Sequence, residues 1–312
     1  MASQSFSQRT LKRPVTCEGV GLHSGARVNL QILPASADHG ITFVRTDLGG
    51  RPSIPARAEF VVDTSLATTL GKGQAKVGTV EHLMAALAGL GIDNARIEID
   101  GPEIPIMDGS AAPFAELLRE AGVRRQDKPK SFLVIRRAVT VTHGDKRATL
   151  EPSRRFKVDC TIDFKHPLIH DQAYTLEFSD DTFAREVARA RTFGFLRDVE
   201  KLQSLGLARG GSLQNAIVVD DFNILNPEGL RFPDEFVRHK LLDALGDMSL
   251  LGLPVLGHLT VVKSGHQLNH KLVTKVLSDP ANYEVVRARQ RDLARMDLLW
   301  SDLEGVLAPT MA

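Results

Sequence analysis

Residues 236–247 read FVRHKLLDALGD, and this stretch decides how the chain is organised because it predicts a helix with two distinct faces. Apolar residues recur at three- and four-residue steps and form one face: Val237, Leu241, Leu245 and Met248. His239, Asp243 and Asp247 stand four residues apart and line the opposite face. An imidazole and a carboxylate at this spacing can bind one metal ion, and the alternative is a surface ion pair or a helix cap.

The length and composition are typical of a globular protein of two domains. The chain has 312 residues, enough for two hydrophobic cores, with 43% hydrophobic and 25% charged residues. The formal net charge of +1 does not favour a nucleic acid partner. The two cysteines, Cys17 and Cys160, exclude a disulfide framework and a cysteine-rich zinc site, and they indicate a reducing compartment.

Neither a secretion signal nor a membrane span is predicted. Residues 1–14 lack the apolar segment of a signal peptide. The most apolar run, residues 250–262, is short and contains Pro254 and His258. We therefore expect a cytoplasmic protein that is not stably inserted into a membrane and that acts as a monomer.

The two halves of the chain are similar in the order of their predicted elements. Residues 136–152, RRAVTVTHGDKRATLEP, are similar to residues 12–34, KRPVTCEGVGLHSGARVNLQILP, in a basic pair, a Val-Thr pair and a turn with histidine and glycine. A helix, a strand and a second helix follow in each half: 79–89, 95–99 and 111–121, then 235–251, 256–263 and 267–277. An internal duplication explains this order, and a coincidental similarity of strand–turn–strand text is the alternative.

The duplication predicts an α+β fold of two similar domains. The polar segment RRQDKPK, residues 124–130, is the predicted linker, and it divides the chain into residues 1–127 and 128–312. The second domain alone contains an insertion, TFGFLRDVEKLQSLGLARGGSLQNAIVV, at residues 192–219. The pattern of this insertion predicts a short helix, a glycine turn and a strand.

The repeat aligns the helix that contains His82 with the helix that contains His239 and Asp243. If these helices pack face to face, the three side chains meet between the domains as two histidines and one carboxylate. Catalytic zinc ions typically have three protein ligands and one position for water. Glu81, next to His82, is then placed to accept a proton from that water, and a carboxylate that only stabilises the first helical turn is the alternative.

Two more residues are candidates because of their place in the pattern. His266 in KSGH follows the predicted strand 256–263, and catalytic groups are often displayed at such ends. Thr192 in RARTFGF begins the insertion. The alternatives are an ordinary loop histidine and a capping threonine. The sequence has no HExxH, GxSxG or Walker motif, which excludes the enzyme classes that depend on them.

Five collinear segments together resemble the UDP-3-O-acyl-N-acetylglucosamine deacetylases, zinc enzymes of lipid A synthesis in Gram-negative bacteria. The segments are TVEHLMAALAGLGIDN at 79–94, EIPIMDGSAAPF at 103–114, RARTFGF at 189–195, FVRHKLLDALGD at 236–247 and KSGH at 263–266. The resemblance spans almost the whole chain. It implies two similar α+β domains whose helices are sandwiched between β-sheets, with the active site between the domains.

The resemblance implies that the cofactor is Zn²⁺. The zinc ligands correspond to His82, His239 and Asp243, and the general base corresponds to Glu81. These are the residues that the helix pattern and the repeat also bring together. The resemblance and the pattern therefore predict the same metal site.

The resemblance also implies which groups surround the reacting amide. Thr192 corresponds to a hydroxyl that helps to hold the oxyanion, and His266 corresponds to an acid or electrostatic partner. Asp247 corresponds to a carboxylate that pairs with the catalytic histidine. The sequence leaves open whether His266 or Glu81 gives a proton to the leaving amine.

The implied substrate is a UDP-glucosamine that carries a 3-O-hydroxyacyl chain and a 2-acetamido group, and the implied products are acetate and a free 2-amino sugar. Basic and aromatic contacts to the nucleotide sugar correspond to Lys240, Lys263, Lys146, Phe164, Phe193 and Phe195. The insertion corresponds to a hydrophobic passage for the acyl chain, with these residues expected along it: Leu196, Val199, Gly211, Leu213 and Val218.

Two other function classes fit parts of the pattern. One is a zinc amidohydrolase that acts on a different acetylated substrate, but a deacetylase of small amides has no use for an apolar passage at 192–219. The other is a binding module that uses the same α+β unit for RNA. It predicts a basic face, which the near-neutral charge does not favour.

Overall fold

The structure of the protein, a computed structural model, describes residues 6–288 and contains strands and helices in both halves of the chain. The strands of the first half are β1 (Ser7–Leu11), β2 (Val15–Val20), β3 (Arg27–Pro34), β4 (Ile41–Arg45), β5 (Ser53–Pro55), β6 (Val61–Asp63), β7 (Thr69–Lys72), β8 (Ala75–Val77), β9 (Ala95–Ile99) and β10 (Val123–Pro129). The α-helices of this half are α1 (Glu81–Gly89) and α2 (Ala112–Ala121).

The second half begins at the strand that follows β10. Its strands are β11 (Ser131–Ile135), β12 (Val139–His143), β13 (Lys146–Glu151), β14 (Phe156–Ile162), β15 (Gln172–Glu177), β16 (Phe193–Phe195), β17 (Ile217–Val219), β18 (Val255–Val262) and β19 (Tyr283–Arg287). Its α-helices are α3 (Asp180–Thr182), α4 (Leu196–Ser204), α5 (Glu235–Ser249) and α6 (His266–Leu277). Within residues 6–288, no helix is both long and apolar enough to cross a membrane.

The main sheets of the two halves share one strand order and one set of strand directions. In the first half the order is β2-β3-β9-β4-β5, and β9 is parallel to β4 while the other pairs are antiparallel. In the second half the order β12-β13-β18-β14-β15 repeats this pattern, with β18 parallel to β14. The α+β class is as predicted, and the matching topology supports the predicted duplication.

The helices pack against one face of each main sheet, and the side chains at these contacts are buried. In β3, Val28, Leu30 and Ile32 are buried while Arg27 and Asn29 are exposed, because successive side chains of a strand point to opposite faces. On the other half, α5 contacts β14 and β15, and α6 contacts β12 and β13. The buried apolar residues of both halves form one continuous core around α1 and α5.

The segment predicted as a linker, residues 124–130, is a strand over most of its length. It forms most of β10, which pairs antiparallel with β1. Its charged side chains are largely exposed, and an edge strand accommodates such charges, so the polar composition does not prevent pairing. The division into residues 1–127 and 128–312 stays a proposal whose boundary falls within β10, and its outer ends, 1–5 and 289–312, lie outside the described residues.

Helices α1 and α5 approach each other closely at a glycine. A β-carbon added at Gly246 would lie 2.1 Å from the carbonyl oxygen of Glu81, so the backbone of α5 contacts the first turn of α1. The polar face of α5 is buried here as well, including His239, Asp243 and Asp247. The polar face of α5, which the sequence pattern places opposite the apolar stripe, is therefore in contact with protein.

We expect Gly246→Ala to lower the free energy of unfolding. The added methyl group would overlap backbone, which cannot rotate away, so the cost of overpacking is about 3 kcal/mol and exceeds the gain in helix propensity of about 1 kcal/mol. Thermal unfolding measures the net loss. Gly49→Ala is the control because a β-carbon added there meets no atom within 4 Å. Equal melting temperatures for Gly246→Ala and the wild type would contradict the close approach.

Candidate metal centre and active site

Three buried side chains from α1 and α5 converge on one point. Nε2 of His239 lies 3.3 Å from Oδ1 of Asp243, and Nε2 of His82 lies 3.5 Å from the same oxygen. The two imidazole rings stand edge to face, with their centroids 5.0 Å apart. One ligand atom from each residue lies within 4.8 Å of the other two. The fold therefore brings together the three residues that the sequence predicts as metal ligands.

The protonation of these groups fits a divalent metal ion. Oδ1 of Asp243 is buried without a hydrogen-bond donor, which is unusual for a carboxylate oxygen in a folded protein. His239 donates from Nδ1 to the carbonyl oxygen of Ala190 at 3.0 Å, and this bond leaves Nε2 as the unprotonated ring nitrogen. Burial lowers the pKa of His239 to about 3, so its imidazole is neutral and able to bind a metal.

Asp243 is held as a carboxylate. Burial alone would raise its pKa, but the positive charge of Lys240 beside it holds the pKa well below the ordinary value. Nζ of Lys240 donates to Oδ2 of Asp243 at 2.8 Å, so one oxygen is paired while the other faces the two imidazoles. Histidine nitrogens and one carboxylate oxygen form a ligand set that catalytic zinc uses.

Glu81, the first residue of α1, lies beside this ligand set. Its Oε2 accepts a hydrogen bond from the backbone N–H of Thr68 at 3.0 Å, and its Oε1 lies 3.7 Å from Nε2 of His266. Burial raises the pKa of Glu81, which makes it a stronger base than an exposed glutamate. A carboxylate that only stabilised the helix would not need this contact with a histidine.

A buried histidine–aspartate pair joins α5 to α6. His266, the first residue of α6, donates from Nδ1 to Oδ2 of Asp247 at 3.0 Å. Asp247 also accepts from Asn269 at 2.8 Å and from the Thr68 hydroxyl at 2.6 Å. Burial alone would lower the pKa of His266, but Asp247 and then Glu81 raise it to about 10. The site therefore favours an imidazolium at His266.

Thr192 lies at the root of the insertion, between Arg191 and Phe193. Its N–H donates to the carbonyl oxygen of Gly109 at 2.8 Å, and its own carbonyl accepts from the N–H of Ile217 at 2.8 Å. The ring of the next residue, Phe193, has its centroid 6.3 Å from that of His239. The backbone of Thr192 is thus fixed on both sides at the edge of the candidate metal site.

Comparison with known proteins identifies the family. The sequence profile of the UDP-3-O-acyl N-acetylglycosamine deacetylases matches residues 8–278. The chain belongs to this family. It is 66% identical over 307 residues to the UDP-3-O-acyl-N-acetylglucosamine deacetylase of Myxococcus xanthus, and the match covers 98% of both chains.

Two further relatives carry the same name. The protein from Anaeromyxobacter dehalogenans is 61% identical over 283 residues, which cover 91% of both chains. The protein from Hahella chejuensis is 55% identical over 283 residues, which cover 90% of this chain and 94% of the relative. The chain is therefore an enzyme, a deacetylase.

In this deacetylase, four of the predicted substrate contacts are neighbours. The ring of Phe164 has its centroid 5.6 Å from that of Phe193 and 5.8 Å from that of Phe195. Nζ of Lys240 lies 5.8 Å from the centroid of Phe193. The structure thus places an aromatic cluster with an ammonium group next to Asp243, a surface suited to flat and anionic groups.

The other two predicted basic contacts are Lys146, the first residue of β13, and Lys263, which follows β18 and reaches the turn between β12 and β13 with its side chain. Lys146 is exposed there, next to Asp145. Nζ of Lys263 is already paired, at 2.7 Å from Asp163 and 3.0 Å from Asp145. The sequence does not predict these two ion pairs. An anionic group that bound Lys263 would exchange with the carboxylates.

The insertion of the deacetylase is a β–α–β unit in which β16 and β17 are parallel and α4 connects them. The predicted helix and strand are confirmed. The side chains expected along an acyl passage are half-buried or exposed: Leu196 at 45%, Leu213 at 38%, Val199 and Val218. A β-carbon added at Gly211 would lie 3.6 Å from Cδ1 of Leu22, so this glycine approaches the β2–β3 turn. Their role as a passage stays a prediction.

Some contributors to the site carry no signal in the sequence. Thr68 binds Glu81 through its N–H and Asp247 through its hydroxyl, although Asp247 is 179 positions away. The carbonyl of Ala190 fixes the tautomer of His239 from 49 positions away. A threonine or an alanine does not indicate a site by itself, and only the fold brings Thr68 and the Ala190 carbonyl to the candidate ligands.

Proposed function

We propose that this deacetylase hydrolyses the 2-acetamido group of UDP-3-O-(3-hydroxyacyl)-N-acetylglucosamine and releases acetate and UDP-3-O-(3-hydroxyacyl)-glucosamine, the committed step of lipid A biosynthesis. The observation that carries the proposal is a buried, unpaired carboxylate oxygen that faces two imidazole nitrogens beside the Glu81–His266 pair. Amide hydrolysis uses both an electrophile for the carbonyl and a positioned acid–base pair. The names of the relatives suggest the substrate.

We propose Zn²⁺ as the metal, held by His82, His239 and Asp243. Two histidines and one carboxylate suit this ion. When bound, the ion supplies polarisation of the amide carbonyl and a water molecule of lowered pKa. Lys240 donates a hydrogen bond to Oδ2 of Asp243, so Asp243 presents only Oδ1 to the site.

The protein's own groups move the protons. Glu81 accepts a proton from the attacking water as the water oxygen bonds to the acetyl carbon. The Thr192 hydroxyl donates a hydrogen bond to the carbonyl oxygen as negative charge develops there. His266 gives its proton to the nitrogen as the C–N bond breaks, and the free amine leaves together with acetic acid, which ionises to acetate in water. The proton on Glu81 then returns to His266 across their 3.7 Å separation.

The same geometry accommodates a second scheme for the protons. Glu81 accepts the proton of the water and gives it to the leaving amine itself. His266 then stays protonated beside Asp247 and stabilises negative charge without transferring a proton. Both schemes need the imidazolium of His266, so a basic limb in the pH–rate profile is expected in either case.

We also propose that the two halves act as one unit in the cytoplasm. The first half supplies Glu81 and His82 through α1, and the second half supplies the remaining groups through α5, α6 and the insertion. Because every group of the scheme comes from one chain, a monomer suffices. The scheme needs neither a nucleic acid partner nor stable membrane insertion.

Metal analysis combined with acetate release tests this function. We expect about one zinc ion per chain and zinc-dependent release of acetate from the acylated UDP-sugar. A small N-acetylated amide is the comparison substrate. Full activity after exhaustive chelation would overturn the metal assignment. Faster turnover of the small amide would favour a zinc amidohydrolase of a different substrate.

We expect kcat/KM to fall as the acyl chain is shortened. Each buried methylene contributes about 0.8 kcal/mol, which is about fourfold in kcat/KM. Gly211→Leu should shift the preference to shorter chains because the added side chain points toward Leu22. Gly49→Leu, in open space, is the control. Equal turnover of UDP-sugars with and without the acyl chain would contradict the passage.

A further inference from the structure

Arg191 is a buried cation beside the candidate site, and the proposed reaction does not use it. Its side chain is 2% exposed, and that of Glu235 is fully buried. Nε of Arg191 donates to Oε1 of Glu235 at 2.9 Å and Nη2 donates to Oε2 at 3.2 Å, so the pairing is bidentate. The backbone N–H of Arg191 also donates to Oε1, at 3.0 Å. Glu235 therefore holds both the main chain and the side chain of Arg191.

The remaining donors of Arg191 bind the loop before α5. Nη1 donates to Glu228 at 2.6 Å, and Nη2 donates to the carbonyl oxygen of Gly229 at 2.6 Å. Five hydrogen bonds thus connect one residue to residues 228–235. This arrangement fixes the segment around Arg191 against the start of α5.

The hydrogen bonds between Arg191 and residues 228–235 form a clamp, and the groups on either side of this clamp belong to the candidate site. Glu235 is the first residue of α5 and stands one helical turn before His239. Ala190, which precedes Arg191, supplies the carbonyl that accepts from Nδ1 of His239. Thr192, which follows Arg191, begins the insertion. Movement of the clamp would therefore move the partner of one metal ligand relative to the helix that carries the ligand.

We propose that Arg191 is a positioning residue for the metal site: by binding Glu235 it holds the Ala190 carbonyl where it fixes the tautomer and orientation of His239. The inference rests on the proposed function, because it assigns Arg191 a role toward the bound zinc. Hydrogen-bond partners of metal-binding histidines orient the ring, and their loss typically weakens metal affinity about 10–100-fold. Arg191 acts one step further out, through that partner.

A purely structural role is the competing explanation, and a second buried arginine provides the control. Arg45 is 7% exposed and is also held by several hydrogen bonds, to Asp47 and to the Lys76 carbonyl. Neither partner belongs to α1 or α5. Replacing Arg45 removes a buried arginine from its ion pair, with a partner, Asp47, that is 31% exposed, and does not disturb the neighbours of His239.

The test measures the zinc dissociation constant of the full chain by competition with a chelator, at a temperature where circular dichroism shows every variant folded. We expect Arg191→Met to bind zinc about 10-fold or more weakly than the wild type, while Arg45→Met binds as the wild type does. Arg191→Lys keeps the charge but lacks the planar fork, so it should fall between them. It is also the deciding variant if Arg191→Met does not fold.

A double variant separates positioning from the cost of an unpaired buried carboxylate. Arg191→Met with Glu235→Gln removes that charge, so it should recover melting temperature relative to Arg191→Met but not zinc affinity. Wild-type affinity in the folded Arg191 variants, or equal weakening in Arg45→Met, would overturn the positioning role alone. A wild-type chain that binds no zinc would overturn the proposed function as well.

Discussion

Replacing His239 or Asp243 with alanine is expected to abolish metal binding and activity together. These side chains provide two of the three ligand atoms around one point, and Asp243 provides the oxygen that faces both imidazoles. Loss of an outer partner of a ligand costs about 10–100-fold in affinity, so loss of a ligand should exceed about 100-fold. The measurement is zinc content after dialysis, together with acetate release from the acylated UDP-sugar.

The control for these variants is another histidine paired with a carboxylate. Nε2 of His258 lies 2.7 Å from Asp159 on the second-half sheet, and within residues 6–288 no third ligand group joins this pair. His258→Ala should therefore keep both zinc and activity. Retention of stoichiometric zinc by His239→Ala and Asp243→Ala, with wild-type rates, would show that the metal site lies elsewhere.

The second large effect is expected for His266→Ala, which should lower kcat by about 100-fold or more while zinc stays bound. His266 is not one of the three ligands, and its Nε2 points to Glu81 and Asp243 at 3.7 and 3.9 Å. The variant removes the imidazolium that we propose gives its proton to the leaving amine or stabilises negative charge beside it. Loss of activity together with loss of zinc would instead indicate that His266 organises the metal site.

The pH dependence of the rate tests the protonation of His266. The pKa of His266 is raised to about 10, so the imidazolium is present at neutral pH and is lost as the pH rises through that value. A bound cation nearby lowers the pKa, so the basic limb of the pH–rate profile should lie below 10. The limbs report coupled groups, Glu81 or the water on the acidic side and His266 on the basic side.

Asp247→Asn should move the basic limb to lower pH and reduce turnover without loss of zinc. Asp247 accepts from Nδ1 of His266, and its charge is the largest influence that favours the imidazolium. Asparagine keeps the shape but removes the charge. An unchanged basic limb would mean that Asp247 has a structural role and that another group controls His266.

The convergence of the candidate metal ligands was predictable because two of them lie on a helix with strong periodicity. The sequence 236–247 predicts a helix that separates an apolar stripe from His239, Asp243 and Asp247, and α5 is that helix in the structure. Apart from the family resemblance, His82 could be assigned only through the repeat of the two halves, since a histidine followed by an apolar run does not by itself indicate a metal ligand. The common strand order of the two main sheets supports that reasoning.

Other parts could not be read from the sequence because they depend on contacts between distant positions. The approach of α5 to Glu81 at Gly246, the bonds of Thr68 and the ion pairs of Lys263 each join segments that local patterns do not relate. The strand at 124–130 was missed for a different reason. Among the described strands it pairs only with β1, and its sequence, VRRQDKP, has no apolar alternation to reveal it.

The proposed metal ligands come from helices in different halves of the chain, so a bound ion would link the two halves. An ion that binds only the folded state adds to the free energy of unfolding, by about 4 kcal/mol when its free concentration is about 1,000 times its Kd. The population of unfolded chains that proteases can attack then depends on the zinc supply. Starvation for zinc should therefore lower the amount of the protein in the cell as well as the fraction that is active.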